Sequence, residues 1–239
     1  MFTLQEIFDN LTYGNLSHVS IGNAALGYIE AKDYPKVVSG INNALTAIHK
    51  RFLLRTEQVS LQQQAGQSTY YLRSDFAATN TANPGITKYL LDTALNPFTD
   101  NLFKIEKVAH ADGTDWPLND SAKEIPIYTP SYDVLVMPPS DPLEVVLVSY
   151  RANHPRIKIP DVGFDPKLIQ LHIPSFVLDA LSLNIAARIY TPLAAGDGQN
   201  SAASTFMYQY EQECLRLETE NMALPGDEAD DRFEANGFV

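Results

Sequence analysis

The chain has 239 residues, 45% of them hydrophobic and 19% charged, and 17 Lys/Arg against 29 Asp/Glu give a formal charge of −12. These proportions are globular and exclude wholesale disorder, while the length fits one large domain or one domain carrying a sizeable insertion. Lys50-Arg51 is the longest basic run, so the counterion-driven binding of nucleic acid, or of an anionic membrane, is not expected.

The single cysteine, Cys214, excludes an internal disulfide and four-cysteine metal sites, and points to a soluble chain made in a reducing compartment. No apolar run approaches the ~18–20 residues that span a bilayer, and MFTLQEIFDN lacks the pattern of a signal peptide.

In chain order, residues 3–12 are expected to form a short helix, with Thr3 and Glu6 spaced as a capping box. From Asp33 to Phe52 an apolar stripe of Val37, Ile41, Ala44, Leu45, Ile48 and Phe52 predicts a one-sided helix, with Asp33 as cap and Pro35 in the first turn. Lys36, Asn43 and Lys50 fall on its opposite face. Alternating runs at 52–64, 68–73, 102–109, 131–137 and 143–151 predict strands. The last two flank Pro138-Pro139-Ser140-Asp141-Pro142 and read as a hairpin-like pair. Residues 74–100 and 114–130 read as loops, with a short helix expected over Thr87–Leu95.

Residues 174–190 are apolar on nearly every side and predict a buried helix that stops at Thr191-Pro192. After a small-residue connection at 194–200, a stripe of Phe206, Met207, Tyr210, Cys214 and Leu217 predicts another helix over 201–222. Residues 211–239 hold nine acids and two bases, a balance of −7. The end of this segment, 223–239, reads as an acidic tail that orders on a partner. The whole is an α+β fold: an antiparallel helical bundle from 1–52 and 174–222, a β-rich insertion over 53–173, and an extended C-terminal tail.

Signatures of catalysis are sparse. No glycine-rich phosphate loop, nucleophile elbow or H-E-x-x-H is present. None of His18, His49, His110, His154 and His172 lies three or four residues from another His or from Cys214, so no compact metal site is expected. His49 reads as a boundary residue and His172 as a packing residue. Cys214, on an apolar stripe beside Glu211, Glu213 and Glu218, reads as a core filler with a raised pKa. The carboxylate pairs Asp227-Glu228 and Asp230-Asp231 lie in the tail, where solvated charge is the simpler reading. The tail also carries Phe233, Phe238 and Val239, aromatic and apolar anchors among acids that suit docking into a groove with basic edges.

The sequence from Ile173-Pro174 through Phe176, Ala180-Leu181, Ala186-Ala187 and Arg188-Ile189-Tyr190, then Phe206, Tyr210 and Cys214, resembles the C-terminal helical pair of head-to-tail connector adaptors from short-tailed bacteriophages. The alternating runs between 52 and 155, with their proline-rich loops, are similar to that family's β insertion. The resemblance spans most of 34–222. It implies a structural virion protein of the neck, assembled in the host cytoplasm as a ring, usually of twelve copies, binding the portal protein above and the tail nozzle below, with genomic DNA passing through unbound. It implies no enzyme activity and no cofactor.

The portal interface expected from the tail is Phe233, Phe238, Val239, Arg232, Asp230 and Asp231. The helix-packing residues are Phe176, Leu181, Ile185, Tyr190, Phe206, Tyr210 and Cys214. Two alternatives stand beside this: another neck or tail-completion protein, and a small hydrolase built on His110, Asp112 and Asp115.

Overall fold

The computed structural model describes residues 1–17, 29–120, 126–139, 144–160, 163–197 and 200–220. The C-terminal tail, His18 and the loop at 140–143 lie outside the described residues. The chain is mixed α and β, in the order β1 (Phe2–Thr3), α1 (Leu4–Tyr13), α2 (Tyr34–Arg51), β2 (Thr56–Gln62), β3 (Thr69–Tyr71), β4 (Leu90–Leu91), β5 (Leu102–His110), β6 (Asp115–Trp116), β7 (Tyr128–Ser131), β8 (Val134–Val136), β9 (Val145–Ala152), β10 (Gln170–Leu171), α3 (Leu178–Asp197) and α4 (Asn200–Thr219). It divides into two compact units: residues 1–54 with 155 onward, and residues 55–154.

The first unit is built by helices. The capping box of α1 forms: Thr3 Oγ1 accepts from the Glu6 amide (3.2 Å), and a Glu6 carboxylate oxygen accepts from the Thr3 amide (2.6 Å). Two orphan donors of the first turn are thereby satisfied. Leu4, Ile7, Phe8 and Leu11 recur at helical spacing and are buried. On α2 the expected stripe is buried throughout, and Lys36, Asn43 and Lys50 are exposed. Asp33 occupies the N-cap of α2, but its side chain makes no capping bond; Pro35 in the first turn supplies the fixed φ instead.

α3 packs against both α2 and α4. At Gly40 the α2 backbone faces α3 side chains: an added Cβ would sit 3.6 Å from Ile189 Cγ1 and 3.9 Å from Ile185 Cγ2. The helix begins after a 3-10 turn at Ser175–Val177 and runs through Pro192 to Asp197, beyond the expected stop at residue 190. Pro192 supplies no amide to the carbonyl one turn back, and just before it the Thr191 hydroxyl donates to the Ala187 carbonyl at 2.7 Å.

Residues 155–173, expected in the β insertion, belong to the helical unit. The reason is a clamp by Asn42. Its side-chain amide donates to the Ile157 carbonyl (3.0 Å) and its oxygen accepts from the Ile157 amide (2.9 Å), as a neighbouring strand would. Ile157, Leu171 and Ile173 join the helical core behind it.

The second unit holds a five-stranded sheet in the order β4-β2-β9-β5-β6 and a three-stranded sheet in the order β3-β8-β7. All pairings between these strands are antiparallel. Val59, Leu61, Ile105, Val108, Val146 and Val148 fill one core. The runs 131–137 and 143–151 do not form the expected hairpin. β8 pairs with β3 and β7, whereas β9 lies between β2 and β5. Pro138 and Pro139 lack amide donors, so the ladder cannot continue through them and the chain changes sheets. Nor is Thr87–Leu95 a helix. Leu90–Leu91 pairs with Ser60 and Leu61, a tertiary pairing that overrides local helical propensity.

Candidate functional site

The acid–base constellation suggested by His110, Asp112 and Asp115 is occupied by structural contacts. β5 and β6 form a hairpin whose turn places Gly113 at φ 89°, with Asp112 Oδ1 accepting from the Thr114 amide at 2.8 Å. The Thr114 amide bond holds the Asp112 carboxyl below its ordinary range. Asp115 pairs with Lys107 at 2.6 Å. The His110 ring stacks on Trp116 (4.5 Å, 13° between planes), and its Nδ1 lies 3.2 Å from Glu144 Oε2. The three side chains are each committed elsewhere, and none activates another. Among the described residues no group of three or more His, Cys, Asp or Glu could hold a metal ion.

The other histidines also differ in part from expectation. His49 is fully buried, its Nδ1 2.8 Å from the Leu45 carbonyl one helical turn back. His172, read as a packing residue, is exposed between the buried Leu171 and Ile173. That is the outward position of an extended segment.

A cavity of about 180 Å³ in the second unit is lined by Arg73, Ser74, Asp100, Tyr132 and Asp133, among others. Arg73 Nε donates to the buried Asp133 carboxylate at 2.7 Å, and its guanidinium lies 5.0 Å from the centroid of Tyr71. Asp100, at φ 55°, accepts from the Ser74 amide (2.6 Å) and from its hydroxyl. Ser74 thus has a carboxylate partner, but no imidazole or thiol lines this cavity among the described residues. A nucleophile–base pair is not assembled there.

Cys214 is inert by position. It is fully buried, and its thiol is pushed up to about 11; burial leads, Glu211 and Glu218 add to it, and Arg51 and Tyr210 oppose it. Sequence reasoning missed the group that frames it. Arg51, at the end of α2, donates to Glu211 (2.5 Å) and Glu218 (2.7 Å) on α4, tying the two helices around the cysteine. Of the expected packing residues, Leu181, Ile185, Tyr190, Tyr210 and Cys214 are buried and Phe176 and Phe206 half-buried against the same core. Phe206 also meets the Tyr190 ring at 5.2 Å.

The helical unit also exposes a few apolar side chains among charged and polar ones. Met207, placed on the buried stripe by sequence, is instead exposed, together with Tyr208 and Leu215. At 3.6 residues per turn these three fall within about 100° of one another on α4. In the second unit Leu95 is 99% exposed on a tight turn. These side chains are exposed apolar surface on α4 and on that turn among the described residues. The tail positions Asp230, Asp231, Arg232, Phe233, Phe238 and Val239 lie outside them. No helix among the described residues is long and apolar enough to cross a membrane. No protein-family model matches the chain, and no curated protein matches its sequence.

Proposed function

We propose that this chain is a structural virion protein, a ring-forming head-to-tail adaptor that joins the portal to the tail nozzle of a short-tailed bacteriophage. In this reading the helices form an antiparallel bundle beside the DNA ejection channel, and residues 223–239 are an extended arm that docks on the portal. The protein performs no chemistry and needs no cofactor. DNA slides past without binding, helped by the net charge of −12.

The observation that carries the reading is α4. One side of it is sunk into the helical core through Tyr210, Cys214 and Leu217, and Met207, Tyr208 and Leu215 remain for a partner. The sequence resemblance lies on this same helical pair. The commitment of His110, Asp112 and Asp115 to turn and ion-pair contacts weighs against these three as the acid–base set of the hydrolase alternative.

Native mass spectrometry of the purified chain, alone and mixed with the portal ring of the same genome, tests it. One portal ring carrying a full set of chains is the expected species. A chain that stays free beside an intact portal ring refutes the reading.

A further inference from the structure

The cavity of about 180 Å³ in the second unit is lined by opposite charges that do not meet. Arg73 and Asp100 both line it, yet Arg73 pairs with Asp133 and not with Asp100. Leu72 and Leu102, both buried, give the same cavity an apolar lining.

Arg73 is held in place by the protein alone. Its Nε donates to Asp133 at 2.7 Å, and its guanidinium lies 5.0 Å from the Tyr71 ring centroid. Asp133 is buried and also accepts from the Ser131 hydroxyl at 3.2 Å. The terminal guanidinium nitrogens make no hydrogen bond to another described residue. A fork anchored through Nε, with its terminal nitrogens open, suits a carboxylate.

Asp100 is fixed as well. At φ 55° it accepts from the Ser74 amide (2.6 Å) and from the Ser74 hydroxyl, one bond to each carboxylate oxygen. Each oxygen keeps a second acceptor site. Asp75, the other acid of the lining, accepts from Asn83 at 3.0 Å, and its backbone carbonyl accepts from Lys88. A cation is therefore already beside Asp75, and Asp100 is the acid left for a ligand.

These groups narrow the ligand. A simple anion would face Asp75 and Asp100, and no group of three or more His, Cys, Asp or Glu among the described residues could hold a metal ion. The volume is below the roughly 300–1,000 Å³ of sites for drug-sized molecules. A small zwitterion satisfies both ends at once, with its aliphatic part against Leu72 and Leu102. A protein terminus carries only one of the two charges, which leaves a free amino acid.

We propose that this cavity binds a free α-amino acid with a small aliphatic side chain, its carboxylate on Arg73 and its ammonium on Asp100. The inference is independent of the adaptor reading and needs no assembled ring.

L-Valine is the probe, titrated into the full chain and followed through backbone amide chemical shifts. Isovalerate lacks the ammonium and valinamide lacks the carboxylate. Saturable shifts around Arg73, Ser74 and Asp100 are expected below about 10 mM valine, with each analogue about tenfold weaker or more. Asp100→Asn keeps an oxygen for Ser74, and Asn tolerates the left-handed backbone. This variant is expected to bind valine about tenfold more weakly and isovalerate as before. Equal affinity for valine and isovalerate, indifference of valine to Asp100→Asn, or no saturable shift overturns the proposal. Glucose shifting these amides where valine does not overturns it in favour of a neutral ligand. The analogue series on the unsubstituted chain decides the matter even where the variant fails to fold.

Discussion

Replacing Tyr89 by Phe separates a hydrogen-bonding role from a packing role within one buried side chain. Tyr89 is 1% exposed; its ring stacks on Phe76 (4.8 Å) and meets Tyr70 edge-on (5.2 Å). Its hydroxyl accepts from the Tyr71 amide at 2.9 Å and donates to the Tyr71 carbonyl at 3.1 Å. The side chain thus closes the free edge of β3 in place of a further strand. Phenylalanine keeps the ring contacts and deletes both bonds. At roughly 0.5–1.5 kcal/mol net for each bond, the loss is about 1–3 kcal/mol.

Trp116 is the sole tryptophan and sits in the same unit, so urea unfolding followed by its fluorescence reads the effect. The midpoint falls, by about 1 M for a typical slope, and the slope is unchanged. A second arm uses pH. Burial pushes the Tyr89 hydroxyl up from 10.0 to about 12, so the folded state holds this proton more tightly than the unfolded one. Its contribution is complete below pH 10 and is lost as pH rises from 10 to 12. The difference between the native protein and Tyr89→Phe must shrink over that window. A loss below about 0.5 kcal/mol at neutral pH, or a difference independent of pH, refutes the assignment.

Other outcomes follow from equally local geometry. Gly40→Ala is expected to stabilise the helical unit by about 0.5–1 kcal/mol, because the added methyl meets Ile185 and Ile189 at ordinary contact distance; a lower midpoint in far-UV circular dichroism contradicts this. Asn42→Ala removes the two-bond clamp on Ile157 and is expected to cost about 1–3 kcal/mol by the same assay, with Asn42→Asp recovering at most the amide-accepting half. Cys214 is expected to stay unreactive toward a thiol-disulfide reagent at pH 8 until denaturant is added, since its thiol is buried and pushed up to about 11; prompt native-state labelling contradicts that placement. Residues 55–154 are expected to fold when expressed alone, giving dispersed amide resonances, because their ends lie on paired strands, with the Ala152 amide donating to the Arg55 carbonyl at 2.9 Å.

The parts of this molecule legible from sequence are those whose signal is local and periodic. The Thr3–Glu6 capping box and the α2 stripe need only neighbours three to four residues away, and both form as read. Partner choice among strands is different in kind. Alternation marks 131–137 and 143–151 as extended but is silent on which strand each will meet, and the proximity of the two runs in sequence suggested a pairing that β2, β3, β5 and β7 take instead. Thr87–Leu95 failed for a related reason: the bond from Tyr89 to Tyr71 and the pairing with Ser60 and Leu61 are long-range, and they outweigh helical propensity in a short segment. The stop at Pro192 was overridden by the continuing α3. Among the exposed apolar residues, Leu95 left no trace in sequence, since an exposed leucine and a buried one look alike until the turn is built. Met207 erred by position on the helix: it neighbours Phe206 in sequence but lies 100° around the axis from it.

The insertion of one unit within the other imposes an order on synthesis. The core containing Leu4, Ile41 and Ile48 also contains Cys214 and Leu217, so the first helices must wait for the last one. Residues 55–154, contiguous and held by their own ladder, are complete long before that. At roughly 5–20 residues per second, the 163 residues between Arg51 and its neighbour Cys214 take about 8–33 s to translate. For that interval α1 and α2 emerge with apolar faces and no helical partner, making the nascent N-terminal segment the natural client of a holding chaperone, while the β unit folds unaided.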